Sequence, residues 1–240
     1  MENTSLENMT EVDMKDISGV ATSVQDAVET RHSVRDYLPT PIPTDIQEKL
    51  FAQALRSPSW KNSQPWKVHI VNGEKRNQLA EAMVSAAKSS APMPDTIWPN
   101  GFPSEAKKRM FDLGMKIYGV AGIERKDKEA RDAFMVRNFE FFGAPTGIFI
   151  TTEFELNFYI ALDIGCFLNT IMLLARSYGL GTVPQAALSA FPNVVRSHLG
   201  IEEKHKVVCG LSLGYPKPDS LLNRFHTPRE ENNSLIKFYE

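Results

Sequence analysis

Cysteine is nearly absent. Cys166 and Cys209 are the two in 240 residues, with no C-x-x-C pair and no neighbouring histidine pair, so the chain carries neither a disulfide framework nor a zinc site. A charge excess of one sign is missing too: 27 Lys and Arg stand against 29 Asp and Glu, a formal charge of -2. No basic field advertises a nucleic acid or an anionic membrane, and neither partner is expected. No apolar run of about 18 residues occurs and no signal-peptide core follows the first residues, so the sequence predicts neither a bilayer span nor secretion. There is no internal repeat and no low-complexity tract.

Several chemistries are excluded in the same way. His32, His69, His198, His205 and His226 form no H-E-x-x-H and no i, i+4 pair, so no metal is expected. No G-x-G-x-x-G follows a strand and no P-loop is present; Gly179-Leu180-Gly181 sits at a helix end, where it reads as a cap. The two cysteines fall in apolar segments where burial keeps a thiol protonated and inert, and such sparse cysteine fits a cytoplasmic chain.

The 42% hydrophobic content is enough for one large core. Residues 1–22 form an acidic tail, with Glu2, Glu7, Glu11, Asp13 and Asp16 against a single Lys15; it is read as flexible and leaves the rest slightly cationic. From about residue 23, helix and strand signals alternate, predicting an α/β or α+β domain over 23–240. A short helix carries Val24, Ala27 and Val28 as its apolar stripe. Thr44-Asp45-Ile46-Gln47 reads as a capping box opening a helix to about 56, and Trp66–Val71 as a strand ending at Asn72-Gly73, followed by a helix with Leu79, Met83 and Ala87. The proline-rich stretch that begins near 91 opens an excursion to about 124. A charged helix near 125–140 follows. Pro145–Thr151 and Val207–Leu213 have the continuous apolarity of buried strands.

Between those strands, 156–178 is the most apolar helix. Ile160, Ile164, Phe167, Ile171, Leu174 and Tyr178 line one face, and Leu162, Cys166, Leu168, Met172 and Ala175 the other, so it is expected to be buried all round, in the core or against a second subunit. Asp163 and Asn169 on it read as buried hydrogen-bonding residues. The apolar end Leu235-Ile236-Lys237-Phe238-Tyr239 also asks for a partner chain.

Two segments crowd chemistry together. Arg31-His32-Ser33-Val34-Arg35 offers two guanidiniums and a hydroxyl within five residues, a donor set shaped for phosphate, although a solvated helix end would carry the same residues. Ser57-Pro58-Ser59-Trp60-Lys61-Asn62-Ser63-Gln64-Pro65-Trp66 packs amides and hydroxyls between prolines and indoles, a composition suited to a rigid loop around a flat polar ring.

These residues resemble the nitroreductase family of FMN-dependent oxidoreductases, in its nitrobenzoate-reductase-like branch. The resemblance rests on Arg31-x-Ser33-x-Arg35 and on Pro58-Ser59-x-x-Asn62-x-Gln64-Pro65-Trp66. It extends to Asp163-x-Gly165-x-x-x-Asn169 leading to Gly179–Gln185, and to Gly214-Tyr215-Pro216 followed by Asn223-Arg224-Phe225-His226-Thr227-Pro228-Arg229, in the family's order. It implies an α+β fold with a central mixed, mostly antiparallel sheet flanked by helices, in an intertwined homodimer with FMN at the subunit interface. Arg31 and Ser33, with Arg229 or Arg224, would hold the FMN phosphate; His32 stands beside them and Arg35 would reach the pyrimidine edge of the ring. Pro58, Ser59, Trp60, Asn62 and Gln64 would line ring and ribityl chain, in part from the neighbouring subunit. Pro184, Gln185, Ala186 and Ala187 would bring backbone groups near N5, although a Glu-Gly pair is common where this chain has Ala186-Ala187.

The resemblance further implies that FMN carries the chemistry, so no catalytic side chain is expected. NAD(P)H would reduce it, and a nitroaromatic, quinone or activated alkene would reoxidise it, in a ping-pong scheme. Trp98, Phe102, Phe111 and Tyr118 of the excursion are candidates for the acceptor pocket. A flavin-binding sensor or store without turnover, and a reductive dehalogenase on the same fold, are the competing readings.

Overall fold

The structure is a computed structural model that describes residues 19–230 and 235–240. Most of the expected acidic tail, residues 1–18, lies outside the described residues. Helix α1 (Val24–Thr30) begins on Ser23, whose hydroxyl accepts from the Asp26 amide; α2 spans Thr44–Ala54. Strand β1 (Lys67–Asn72) runs directly into α3 (Gly73–Ser89), and α4 (Ser104–Val120) and α5 (Lys128–Val136) follow. Then come β2 (Thr146–Thr152), α6 (Phe158–Ser177), β3 (Gly181–Gln185), α7 (Pro192–Leu199), β4 (Lys206–Gly214) and the single turn α8 (Leu221–Arg224).

The four strands form one sheet in the order β1-β2-β4-β3, antiparallel at every ladder. A parallel element enters only as an isolated bridge, Ser33 to Thr182. Strand β2 is central and buried at every position, as its unbroken apolar run predicts. The pleat sends alternate side chains to opposite faces. Ile148 and Ile150 join Leu211, Leu213 and the buried stripe of α6 on one face, with Leu50 and Ala54 of α2. Phe149 points the other way, into a core with Leu79 and Met83 of α3, Phe134 of α5 and Val195 of α7. The result is an α+β arrangement of three layers.

Three local expectations are corrected. Thr44 does not cap α2: Pro43 occupies the N-cap, its ψ of 139 still outside the helix, and the side-chain amide of buried Gln47 donates to the Ile42 carbonyl. In α1 only Ala27 is buried, while Val24 and Val28 are exposed. Trp66 ends the loop directly before β1, but its ring turns into the core and stacks flat on Phe167, 4.5 Å between centroids and 4° between planes. Helix α6 buries one face within the chain, and the burial expected of its other face would have to come from a second subunit. Ile160, Ile164, Phe167, Ile171 and Ala175 face the sheet, but Phe158, Tyr159, Leu162 and Cys166 are exposed. By length and composition alone, α6 is apolar enough to cross a membrane, although polar interruptions hide it from a search for unbroken runs. Here it packs on the sheet.

Buried Arg176, in the last turn of α6, organises the entrance to the chain's most basic segment. Its guanidinium donates to the Gly19 carbonyl and the Thr30 hydroxyl, and its own carbonyl accepts from the Ala21 amide. This fixes the C-terminus of α1 just before Arg31. The following residues then run along β3, where the Val34 amide donates to the Thr182 carbonyl at 3.0 Å. Gly181 makes that approach possible: a Cβ there would stand 2.5 Å from Val34 Cγ2 and 2.8 Å from Pro216 Cγ. Gly181→Ala is therefore expected to cost about 1–3 kcal/mol of stability by overpacking. Urea denaturation measures it, and an unchanged midpoint would refute the tight fit.

Candidate functional site

Arg31, His32 and Ser33 line one side of a 410 Å³ cavity; Asn169 and Leu173, one turn apart on α6, form its floor, and His226, Thr227 and Arg229 close it. Arg229 is among the lining residues and Arg224 is not. Burial first, and the facing Arg229 second, pull the Arg31 guanidinium below its ordinary value. Two guanidiniums and a hydroxyl line this cavity together with the Glu29 carboxylate, a set whose donors can take up an oxyanion. Within the single chain Asn169 is exposed to this cavity. Cys166 is exposed as well; Cys209 conforms, its thiol pushed up to about 12 by burial.

His32 is buried in the cavity wall. Its Nδ1 lies 3.0 Å from the Thr30 carbonyl and so carries the proton, leaving a buried Nε2 with no hydrogen-bond partner among the described residues. Its ring tilts against His226 at 4.5 Å between centroids. Burial above all holds its pKa down at about 4, the Thr30 hydrogen bond opposing this and the charges of His226, Arg176 and Arg31 adding to it.

Arg35 emerges on the far side of the same segment. Its side chain donates to the Ser33 carbonyl, its backbone amide to Asn223 Oδ1, and its carbonyl accepts from Arg137. Fully buried Asn223 also donates to the carbonyls of Asp36 and Lys217, clamping the basic segment to the turn that leads to Arg229. Arg137, which lies beneath the rings of Phe134 and Phe142, had no distinguishing sequence signal. Next to it, Asn138 accepts from the Gln185 amide at 2.9 Å through its carbonyl, and Ser212 donates to Gln185 Oε1. The Gln185 side chain is consequently committed to the interior. Pro184 and Ala187 are half-buried and Ala186 is exposed, beside the Arg31–Arg35 segment that β3 adjoins.

The loop from Pro58 to Gln64 forms a third group, and none of its residues lines the cavity. Lys61, Asn62 and Gln64 adopt φ of 50°, 59° and 45°. Non-glycine residues there cost about 1 kcal/mol or more each, so the loop needs outside support. Part is internal: Ser59 Oγ accepts from the Gln64 amide, and the Gln64 side chain donates to Asn62 Oδ1. Pro58, Trp60, Asn62 and Gln64 are exposed and Ser59 half-buried, Trp60 leaning on Tyr159 of α6 at 4.5 Å.

The excursion is rooted by Asp95, which holds Arg196 in a two-pronged ion pair and accepts from the Val207 amide. Its aromatics do not converge on the cavity. Trp98, Phe102 and Phe111 are exposed, Arg125 lies over Phe111, and Tyr118 packs edge-on against Phe134 in the core. Among the described residues no group of three or more His, Cys, Asp or Glu could hold a metal ion.

The nitroreductase family matches residues 28–215. A 4-nitrobenzoate reductase of Pseudomonas putida is 34% identical over 211 residues, 88% of this chain and 93% of that protein. The crystal structure of the FMN-dependent nitroreductase NfnB of Mycobacterium smegmatis in complex with NADPH superposes with a TM-score of 0.87 at 29% identity, covering 90% and 97% of the two chains. The FMN and NADPH-dependent nitroreductase NfnB of sphigopyxis sp. strain HMH has a TM-score of 0.87 at 28% identity, covering 91% and 99%.

A histidine whose pKa falls on folding binds fewer protons in the native state, so stability is complete above the ordinary 6.5 and is lost as pH falls toward about 4. His32→Phe keeps a ring against His226 but removes the titration. It is expected to flatten the pH dependence of the urea midpoint between those limits; a wild-type slope in the variant would refute the buried neutral histidine.

Proposed function

The chain belongs to the nitroreductase family, and we propose that it is an NAD(P)H-dependent FMN oxidoreductase that reduces nitroaromatic compounds, with quinones and activated alkenes as further acceptors. The observation that carries the reading is the cavity in which Arg31, Ser33 and Arg229 converge. Its donor set, two guanidiniums and a hydroxyl, fits the phosphate end of FMN. When bound, FMN supplies the hydride relay between nicotinamide and acceptor.

The chain's own residues then have to bind and orient. Arg31 and Arg229 neutralise the phosphate, Ser33 donates a hydrogen bond, and Asn169 faces the same space. Arg35, held by Asn223 and Arg137, presents positive charge to the pyrimidine edge, where it favours the anionic reduced ring. The Pro58–Gln64 loop contributes amides to the ring, and Pro184–Ala187 contribute backbone groups, since the Gln185 side chain is already engaged. Residues 23–240 act as one flavin-binding domain, and Trp98, Phe102 and Phe111 of the excursion are available to wall an acceptor pocket completed by a second copy.

A homodimer is part of the same reading. The exposed stripe Phe158, Tyr159 and Leu162 runs along α6 toward Asn169 at the cavity floor, and Leu235, Ile236, Phe238 and Tyr239 stand exposed at the C-terminus. Such apolar surface calls for a partner. A second copy seated on α6 would carry a Pro58–Gln64 loop to the neighbouring cavity. We place the protein in the cytoplasm, in keeping with two free cysteines.

The test is an absorbance spectrum of the purified protein, followed by anaerobic titration with NADPH or NADH and then with a nitroaromatic acid. Yellow protein that bleaches and recovers supports the enzyme; yellow protein that never bleaches favours a store or sensor, and protein that cannot be loaded with FMN overturns the reading. Arg31→Ala is expected to weaken FMN binding by about 2 kcal/mol, roughly 30-fold, with the fold intact. Leu162→Glu is expected to sediment as a monomer and to lose flavin; a dimer that retains FMN would refute the α6 interface.

A further inference from the structure

Asp163 is buried in α6, and the described ion pairs supply it with no cation. Its partners come from the Pro58–Gln64 loop. The Trp60 amide donates to both carboxylate oxygens, at 3.1 and 3.0 Å, and the Ser63 hydroxyl to Oδ2 at 3.3 Å. These anchors lie just before and just after Lys61 and Asn62, and Ser63 directly precedes Gln64, the third left-handed residue. The Trp60 ring rests on Tyr159, one turn before Asp163 on the same helix, so the loop is fixed to α6 at a polar point and an aromatic one. The hydrogen bonds inside the loop join its residues to one another and cannot fix it to the fold. A buried carboxylate satisfied by loop donors can do both.

We propose that Asp163 is the positioning residue of this loop: by holding the Trp60 amide and the Ser63 hydroxyl it sets the left-handed backbone from which the Asn62 and Gln64 amides are presented to the flavin ring. The inference rests on the flavin reading above. Asp163→Asn keeps the shape but removes the charge from these hydrogen bonds, and Ser63→Ala deletes one of them. Leu79→Ala, in the core on the other side of the sheet, serves as a control for lost stability. FMN is titrated into each apo-protein and followed by quenching of flavin fluorescence, with the visible spectrum of the bound flavin and the Tm recorded alongside.

Asp163→Asn is expected to weaken FMN binding about tenfold and to shift the bound flavin's absorption band, Ser63→Ala to do the same to a smaller extent. Leu79→Ala should lower the Tm with affinity and spectrum unchanged. Wild-type affinity and spectrum in both loop variants would overturn the proposal, as would an equal affinity loss in Leu79→Ala. If Asp163→Asn does not fold, Ser63→Ala decides alone. Wild-type protein that fails to take up FMN would overturn the flavin reading itself, and this inference with it.

Discussion

The burial of one face of α6 against β2 and β4, with Phe167 stacked on Trp66, holds the helix from which the parts of the site are hung. Its first turns carry Tyr159 and Asp163 to the strained loop, its middle carries Asn169 and Leu173 to the cavity, and its last turn carries Arg176 to the entrance of the basic segment. These groups keep their spacing because a helix rises a fixed 1.5 Å per residue, roughly, and does not flex as a loop does. A change in how α6 sits on the sheet would therefore move all of them together.

Polar groups inside this frame are matched with care. Asn223 joins the basic segment to the C-terminal turn through three hydrogen bonds, and Gln185 joins β3 to Ser212 and Asn138. Buried amides satisfied in this way rigidify their surroundings. Their rigidity offsets the cost of placing Arg31 and Arg229 around one cavity and of holding Lys61, Asn62 and Gln64 in left-handed backbone.

Much of this was legible from residue order. The unbroken apolar run of β2 announces a buried strand, whereas Arg31-x-Ser33-x-Arg35 alone reads more simply as a solvated helix end and gains meaning only through its order with Pro58–Trp66 and Gly179–Gln185 in the family resemblance. Other features lay beyond reach. Periodicity reports that both faces of α6 are apolar but not whether this chain or a second subunit covers each, so burial was expected of Cys166 and Asn169 without a partner being assigned. His226 and His32 meet only through tertiary folding, and Gln185 turns inward because Asn138 and Ser212, distant in sequence, await it. At Thr44 a capping pattern was present, yet Pro43 takes the N-cap and Thr44 is already the first helical residue.

The cavity draws Arg31 from the end of α1, Asn169 and Leu173 from the middle of α6 and Arg229 from the segment after α8 to one place. On the proposed flavin reading, no single segment carries the binding determinants, and the two guanidiniums meet only once the helix and the sheet beneath it are assembled. Affinity for an oxyanion would therefore report completion of the fold rather than the state of any one element.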